Sequence, residues 1–168
     1  MTDTRTTKAK DWTALAGFML LCVVGGAASG LATPPDAWYW QLSKPAWTPP
    51  PWLFGPVWTL LYMMMGVSAW LLWARRSGPG GRAAMALFLA QLALNFAWTP
   101  LFFGLHALGV AMAEMVALWL AILGTIVVGW RVRRAAALML LPYLAWVSFA
   151  AALNFAIWQL NRSGPPIG

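Results

Sequence analysis

Five stretches of this chain carry no charged side chain over sixteen residues or more: Trp12 to Pro35, Pro45 to Ala74, Ala83 to Ala113, Met115 to Trp130 and Ala135 to Asn161. A bilayer crossing takes about 20 predominantly apolar residues. The third stretch is too long for one crossing and breaks at Phe103-Gly104-Leu105-His106. Five helices are therefore predicted at about 12–32, 52–74, 83–103, 107–130 and 135–160, joined by turns that carry Gly, Pro or Arg clusters. The composition agrees: 61% of residues are apolar, 9% are charged and mean hydropathy is +0.68, whereas soluble domains carry about a quarter charged residues. The expected fold is an all-α integral membrane protein, a bundle of five transmembrane helices in a single domain over 1–168. A rival reading of the first span is a cleavable signal peptide, because Arg5, Lys8 and Lys10 precede an apolar run ending in GGAASG. Asp11 interrupts that basic flank and favours an uncleaved helix.

The positive charges sort by side. One end of the spans holds Arg5, Lys8, Lys10, Arg75, Arg76, Arg82, Arg131, Arg133 and Arg134; the other holds Lys44 and Arg162, a split of 9 to 2. By the positive-inside rule the N-terminus is inside and the C-terminus outside, while the choice between inner and outer bacterial membrane stays open. The net charge of +7 then follows from topology, and no nucleic-acid partner is expected.

The sequence offers little to metal or acid–base chemistry. Cys22 stands alone, and there is no phosphate loop, HExxH pair or Ser/His/Asp set. No metal or cofactor is expected. His106, the one histidine, falls in the turn after the third span, where a solvated interface residue and an axial haem ligand are the two readings.

Helical periodicity at about 100° per residue gives each polar span two faces. On the third span Ala86, Ala90, Ala93 and Ala97 share one direction, and Gln91, Asn95, Trp98 and Phe102 lie roughly 140° away. The small stripe invites close helix approach and makes a homodimer expected, with Gly26-Ala27-Ala28-Ser29-Gly30 on the first span as the rival. The polar face needs a partner or a cavity. The fifth span aligns Tyr143, Trp146, Ala150 and Asn154, with Pro142 freeing a carbonyl one turn earlier, and the second aligns Trp58, Tyr62 and Met65. Trp58, Asn95 and Asn154 fall about 9–12 Å below the outer ends of their helices. Either these side chains line one aromatic pocket open to the outer side, or the amides glue helices while the tryptophans fill core.

Over that mouth lies the segment 33–51, whose stretch WYWQLSKPAWTPPPW holds four Trp and four Pro. Proline fixes φ and removes donors, so the segment is expected to fold over the pocket as a lid without a hydrogen-bonded ladder. Lys44 in it is either a partner for a ligand propionate or a snorkelling interfacial lysine.

The blocks WYWQLSKPAWTPPPWLFGPVWTLLY, QLALNFAWTPLFFG and LPYLAWVSFAAALNF resemble, in order and spacing, those of the translocator protein family, also called TspO/MBR, tryptophan-rich sensory protein or peripheral-type benzodiazepine receptor. The resemblance spans nearly the whole chain. It implies a five-helix bundle, usually dimeric, embedded in the lipid bilayer and binding porphyrins such as protoporphyrin IX. In animal members it also implies cholesterol and benzodiazepine-type drugs. The pocket residues it carries over are Tyr39, Trp47, Trp58, Asn95, Trp98, Tyr143, Trp146, Ala150 and Leu153. Trp58 and Trp146 match the paired tryptophans linked in some bacterial members to light-dependent porphyrin breakdown, the alternative to a tetrapyrrole-binding role in transport or stress-linked regulation. The stretch LNFAIWQLNR has Phe155 and a distant Arg162 where the animal sterol motif has a Tyr and a nearby base, so a sterol ligand is doubtful. Glu114 falls where animal members have an acid; it is either a ligand or proton partner, or a carboxylate paired with amides of the third span.

Overall fold

The computed structural model describes residues 4–162, with side chains from Trp12 onward. Arg5, Lys8, Lys10 and Asp11, part of the charge-sidedness and signal-peptide readings, have side chains outside the described set. The elements are α1 (Thr4–Ala32), α2 (Ala37–Gln41), α3 (Phe54–Trp73) led in by a 3-10 turn at Pro51–Leu53, α4 (Gly81–Thr99) continued by a π-turn at Pro100–Gly104, α5 (Leu108–Val132) and α6 (Arg134–Leu160). Among the described residues, five helical segments are long and apolar enough to cross a membrane: Trp12–Ala32, Pro51–Trp73, Gly81–Gly104, Leu108–Val132 and Arg134–Leu160. The chain is an integral, multi-pass membrane protein built as an all-α bundle.

The five spanning helices pack in the cyclic order α1, α3, α6, α5, α4 and back to α1. The large core cluster includes Met65, Leu72, Phe88, Ile122, Leu140 and Tyr143. A smaller one, Phe102, Ala111, Leu153 and Ile157, gathers Trp38, Tyr39, Leu42 and Phe54 around it and so carries the lid segment. Inside the bilayer each polar group must be satisfied within the protein or face a cavity, and the tie from Ser68 Oγ to the Ala136 carbonyl, 2.9 Å, is one such solution.

Two local features shape the ends of α4. Pro100 has no N–H, so the Phe96 carbonyl one turn earlier loses its helical donor. Ser29 Oγ on α1 donates to that carbonyl at 2.7 Å. The chain then widens into the π-turn, closed by Leu105 N–H to the Pro100 carbonyl at 2.9 Å, and the break after it lies in the expected Phe103–His106 region. At the other end of α4, Gly80 sits at φ 73, and a Cβ on Gly81 would lie 2.2 Å from the Arg75 carbonyl oxygen. Only glycines let this turn close so tightly.

Candidate functional site

The lid differs from its expected form. It holds a short helix, α2, capped by Asp36, whose carboxylate accepts the Tyr39 N–H at 3.2 Å. The same carboxylate meets His106 Nε2 at 3.1 Å, across 70 residues. Trp38 lies flat against the His106 ring, centroids 4.0 Å apart and 17° between planes. His106 itself adopts φ 53, a left-handed backbone unusual for a residue with a Cβ. On the opposite side Asn161 accepts from the Ser43 N–H and donates to the Ser43 carbonyl, both at 3.0 Å. Hydrogen bonds thus pin the lid to the α4–α5 turn and to the end of α6, so His106 acts as an anchor for Trp38 and Asp36.

The Tyr39 N–H, and after it His106, hold the Asp36 carboxyl below the ordinary carboxylate value. A carboxyl with a lowered folded pKa contributes its stabilisation in full above its unfolded pKa and loses it as pH falls through the folded one. The protection factor of the Tyr39 amide in hydrogen exchange should accordingly fall on that acid limb. In Asp36→Ala it should be low at every pH above it as well; unchanged protection in the variant would remove Asp36 from the anchor.

Beneath the lid lies a cavity of about 380 Å³, inside the range of about 300–1,000 Å³ usual for small-molecule sites. All five spanning helices and α2 contribute to its wall. Of the side chains expected at a pocket, Tyr39, Trp58, Tyr62, Asn95, Trp98, Trp146, Ala150, Leu153 and Asn154 line it. Gln91, Tyr143, Trp47 and Lys44 do not. Tyr143 and Gln91 are fully buried behind the wall; Trp47 is half exposed and meets Phe149 edge-on at 5.8 Å. Lys44 donates to the Tyr39 and Leu42 carbonyls at 2.6 and 3.2 Å and lies over the Tyr39 ring at 4.4 Å. Its ammonium is engaged with the lid itself, and partial burial lowers its pKa.

One polar chain crosses the wall. Tyr62 donates to Asn95 Oδ1 at 2.7 Å, and Asn95 Nδ2 donates to the Tyr143 hydroxyl at 2.9 Å. These bonds tie α3, α4 and α6 together. Trp58 stacks on Tyr62 at 5.4 Å and meets Tyr143 edge-on at 6.2 Å, so the aromatic wall is held from behind by the asparagine. Gly26 of α1 is part of the same fit, because a Cβ there would fall 2.1 Å from the Tyr62 ring. Glu114 does not pair with the α4 amides: both of its oxygens, and both polar atoms of Gln91, lack protein partners, while Asn95 is committed to the tyrosines.

Several lining residues carried no sequence signal strong enough to select them. Met115 and Leu118 on α5 face the cavity, but Glu114 and Thr125 are the only polar breaks in the apolar body of that helix and too few to select a face by periodicity. Phe54, Phe103 and Thr33 line it from element ends, where helical phase is undefined until the turns are known.

The TspO/MBR family profile matches residues 18–159. The chain belongs to the TspO/MBR family. It is similar to Protein CrtK of Rhodobacter capsulatus, 42% identical over 160 residues covering 92% of this chain and 97% of that one. It is also similar to Tryptophan-rich protein TspO of Chlorobaculum tepidum, 43% identical over 148 residues, 84% and 91% of the two chains. The human Translocator protein is 38% identical over 163 residues, 92% and 94%. The TspO/MBR match runs from Phe18 on α1 to Gln159 on α6 and so takes in the lid, the cavity wall and the Tyr62–Asn95–Tyr143 chain.

Proposed function

We propose that this TspO/MBR protein is a receptor- or transport-type membrane protein that binds tetrapyrroles such as protoporphyrin IX in the cavity beneath its lid. The observation that carries the reading is the wall itself. Indole, phenol and phenyl rings of Trp58, Tyr62, Trp98, Phe102 and Trp146 surround one cavity, and flat aromatic ligands are favoured by such faces. The name of the human relative, Translocator protein, fits a protein that binds and passes on a ligand. A sterol is not proposed, since Phe155 and Arg162 break the motif.

A second reading rests on Trp58 and Trp146 lining the same cavity. Two indoles beside a photoexcited porphyrin and oxygen are oxidisable partners, which gives a porphyrin-degrading activity without any general acid or base. The two readings separate in one experiment. Anaerobic incubation in the dark should bind the porphyrin saturably and return it intact; a new product that forms only with light and oxygen, and fails to form in Trp146→Phe, favours degradation. Absence of saturable binding under both conditions contradicts both.

We also infer a two-fold homodimer through α4, oriented with the N-terminus inside. Ala86, Ala90 and Ala93 are exposed along α4, with Ala97 partly so, and small residues allow the close van der Waals packing that drives helix association in lipid. Ala90→Leu with Ala93→Leu should give monomers in nanodiscs that still bind porphyrin. Dimers of undiminished stability would contradict the α4 interface; the rival Gly26–Gly30 stripe on α1 is taken up within the bundle, with Gly26 against Tyr62 and both glycines in the cavity wall.

A further inference from the structure

Helices α1 and α3 pack closely at one level and part at another. Gly66 of α3 is buried against Met19 of α1, where a Cβ on the glycine would lie 3.0 Å from the Met19 Cα. Eleven residues further toward the lid on each helix, the antiparallel register brings Gly30 of α1 opposite Gly55 of α3, about 16 Å away. Eleven residues is close to three full turns, so each glycine stays within about 20° of the direction that Met19 or Gly66 takes. Gly30 and Gly55 therefore face each other across the helix pair. Both are exposed, both line the cavity, and a Cβ on either would meet nothing within 4 Å. The opening between them has a floor where Gly26 fits against the Tyr62 ring and a roof at Pro35 and Pro51 of the lid segment. Behind it stand the stacked rings of Trp58 and Tyr62.

The lid is fastened away from this gap. Asp36 and His106 tie it to the α4–α5 turn, and Ser43 and Asn161 tie it to the end of α6. A ligand coming from above has to break those bonds and the Trp38–His106 stack, whereas no side chain stands within the gap between the two glycines. The gap lies in the lid-end turns of the spans Trp12–Ala32 and Pro51–Trp73, and Leu31 beside Gly30 is 81% exposed, so the opening faces lipid. Apolar solutes leave water for an apolar phase, and a flat macrocycle therefore reaches this protein from within the bilayer.

We propose that the gap between Gly30 and Gly55 is a lateral mouth, through which a membrane-dissolved planar ligand passes between the bilayer and the cavity while the lid stays fastened. This rests on the tetrapyrrole reading of the cavity, and the test separates the failure of one from the failure of the other.

The experiment follows tryptophan quenching by protoporphyrin IX in stopped flow, with the full chain in nanodiscs, in the dark and without oxygen. Association is read on mixing with porphyrin-loaded lipid discs and release on mixing the loaded protein with excess empty discs. Porphyrin transfer between protein-free discs sets the baseline. Gly30→Phe places a ring where the structure has open space and should slow association and release together by about tenfold or more, with Kd within about threefold, because a narrowed passage raises the barrier in both directions. Gly55→Cys, alkylated with a bulky maleimide after folding, should do the same. Cys22, the one native thiol, is buried, and maleimide-treated wild type controls for it. Gly17→Phe is the matched control: a Cβ there also meets nothing within 4 Å, but it points about 160° away from Met19, so wild-type rates are expected. Asp36→Ala, which loosens the lid, should keep them too. Wild-type rates in both gap variants, or slowing by Gly17→Phe as large as by Gly30→Phe, overturn the proposal. Faster association in Asp36→Ala with no effect of the gap variants assigns the route to the lid and also overturns it. So does a weakened Kd at an unchanged association rate, which makes the glycines wall and not passage. Each of these results leaves the tetrapyrrole reading standing; absence of saturable binding by wild type removes that reading and this proposal with it.

Discussion

Replacing Asn95 by Leu is expected to destabilise the bundle by about 1–3 kcal/mol. The substitution removes both bonds that join Tyr62 and Tyr143, at 2.7 and 2.9 Å. Interhelical hydrogen bonds in membrane proteins average about 0.6 kcal/mol and reach about 1.7, and a buried hydroxyl left without a partner adds roughly 1–3 kcal/mol. Tyr143 is fully buried, so its hydroxyl has no water to turn to. The matched control is Gln91→Leu, one turn away on the same helix. Gln91 is equally buried but makes no hydrogen bond, so its loss should be neutral or stabilising. Unfolding of both variants in mixed micelles checks the pair, and equal destabilisation by the two would refute the role given to the Tyr62–Asn95–Tyr143 chain. The Asn95 variant should also loosen the cavity, since Trp58 rests on both tyrosines.

The contrast between these two amides marks how far the sequence could be read. The spans were legible because lipid imposes a length and forbids charge, and both constraints leave continuous traces in the chain. The faces of the second, third and fifth spans were legible because polar and small residues on them break an apolar background at helical spacing. Periodicity gives a direction, however, and a direction covers both the wall of a cavity and the layer behind it. Gln91 and Asn95 share a direction; only the structure separates Asn95, in the wall, from Gln91, which is sealed. Tyr143 and Trp146 divide in the same way on α6. The fourth span, apolar but for Glu114 and Thr125, gave no periodic direction, and Met115 and Leu118 went unread. Long-range pairs were invisible altogether. Nothing in the local sequence joins Asp36 to His106 or Ser43 to Asn161, so the lid was readable as a proline-stiffened segment but its anchors were not. The helix α2 within it depends on the Asp36 cap, a signal of one residue.

The largest effect expected on binding comes from filling the cavity. Ala150 lines it between Trp146 and Asn154 on the inner face of α6, and its small side chain leaves the space a ring would occupy. Ala150→Trp places an indole there. The surrounding core is close-packed, and side chains that line a cavity can yield to an inserted ring where a packed core cannot, so the variant should stay folded. The decisive measurement is a titration of tryptophan fluorescence with protoporphyrin IX, in dark anaerobic nanodiscs, for wild type and Ala150→Trp side by side with lipid-only discs. Wild type should quench saturably with a Kd near micromolar, about −8 kcal/mol, and Ala150→Trp, with an unchanged helical spectrum, should bind at least about a hundredfold more weakly, a loss of roughly 2.7 kcal/mol. Quenching in wild type that tracks lipid partitioning without saturation, or saturable binding that the filled cavity leaves intact, would contradict the placement of a tetrapyrrole beneath the lid.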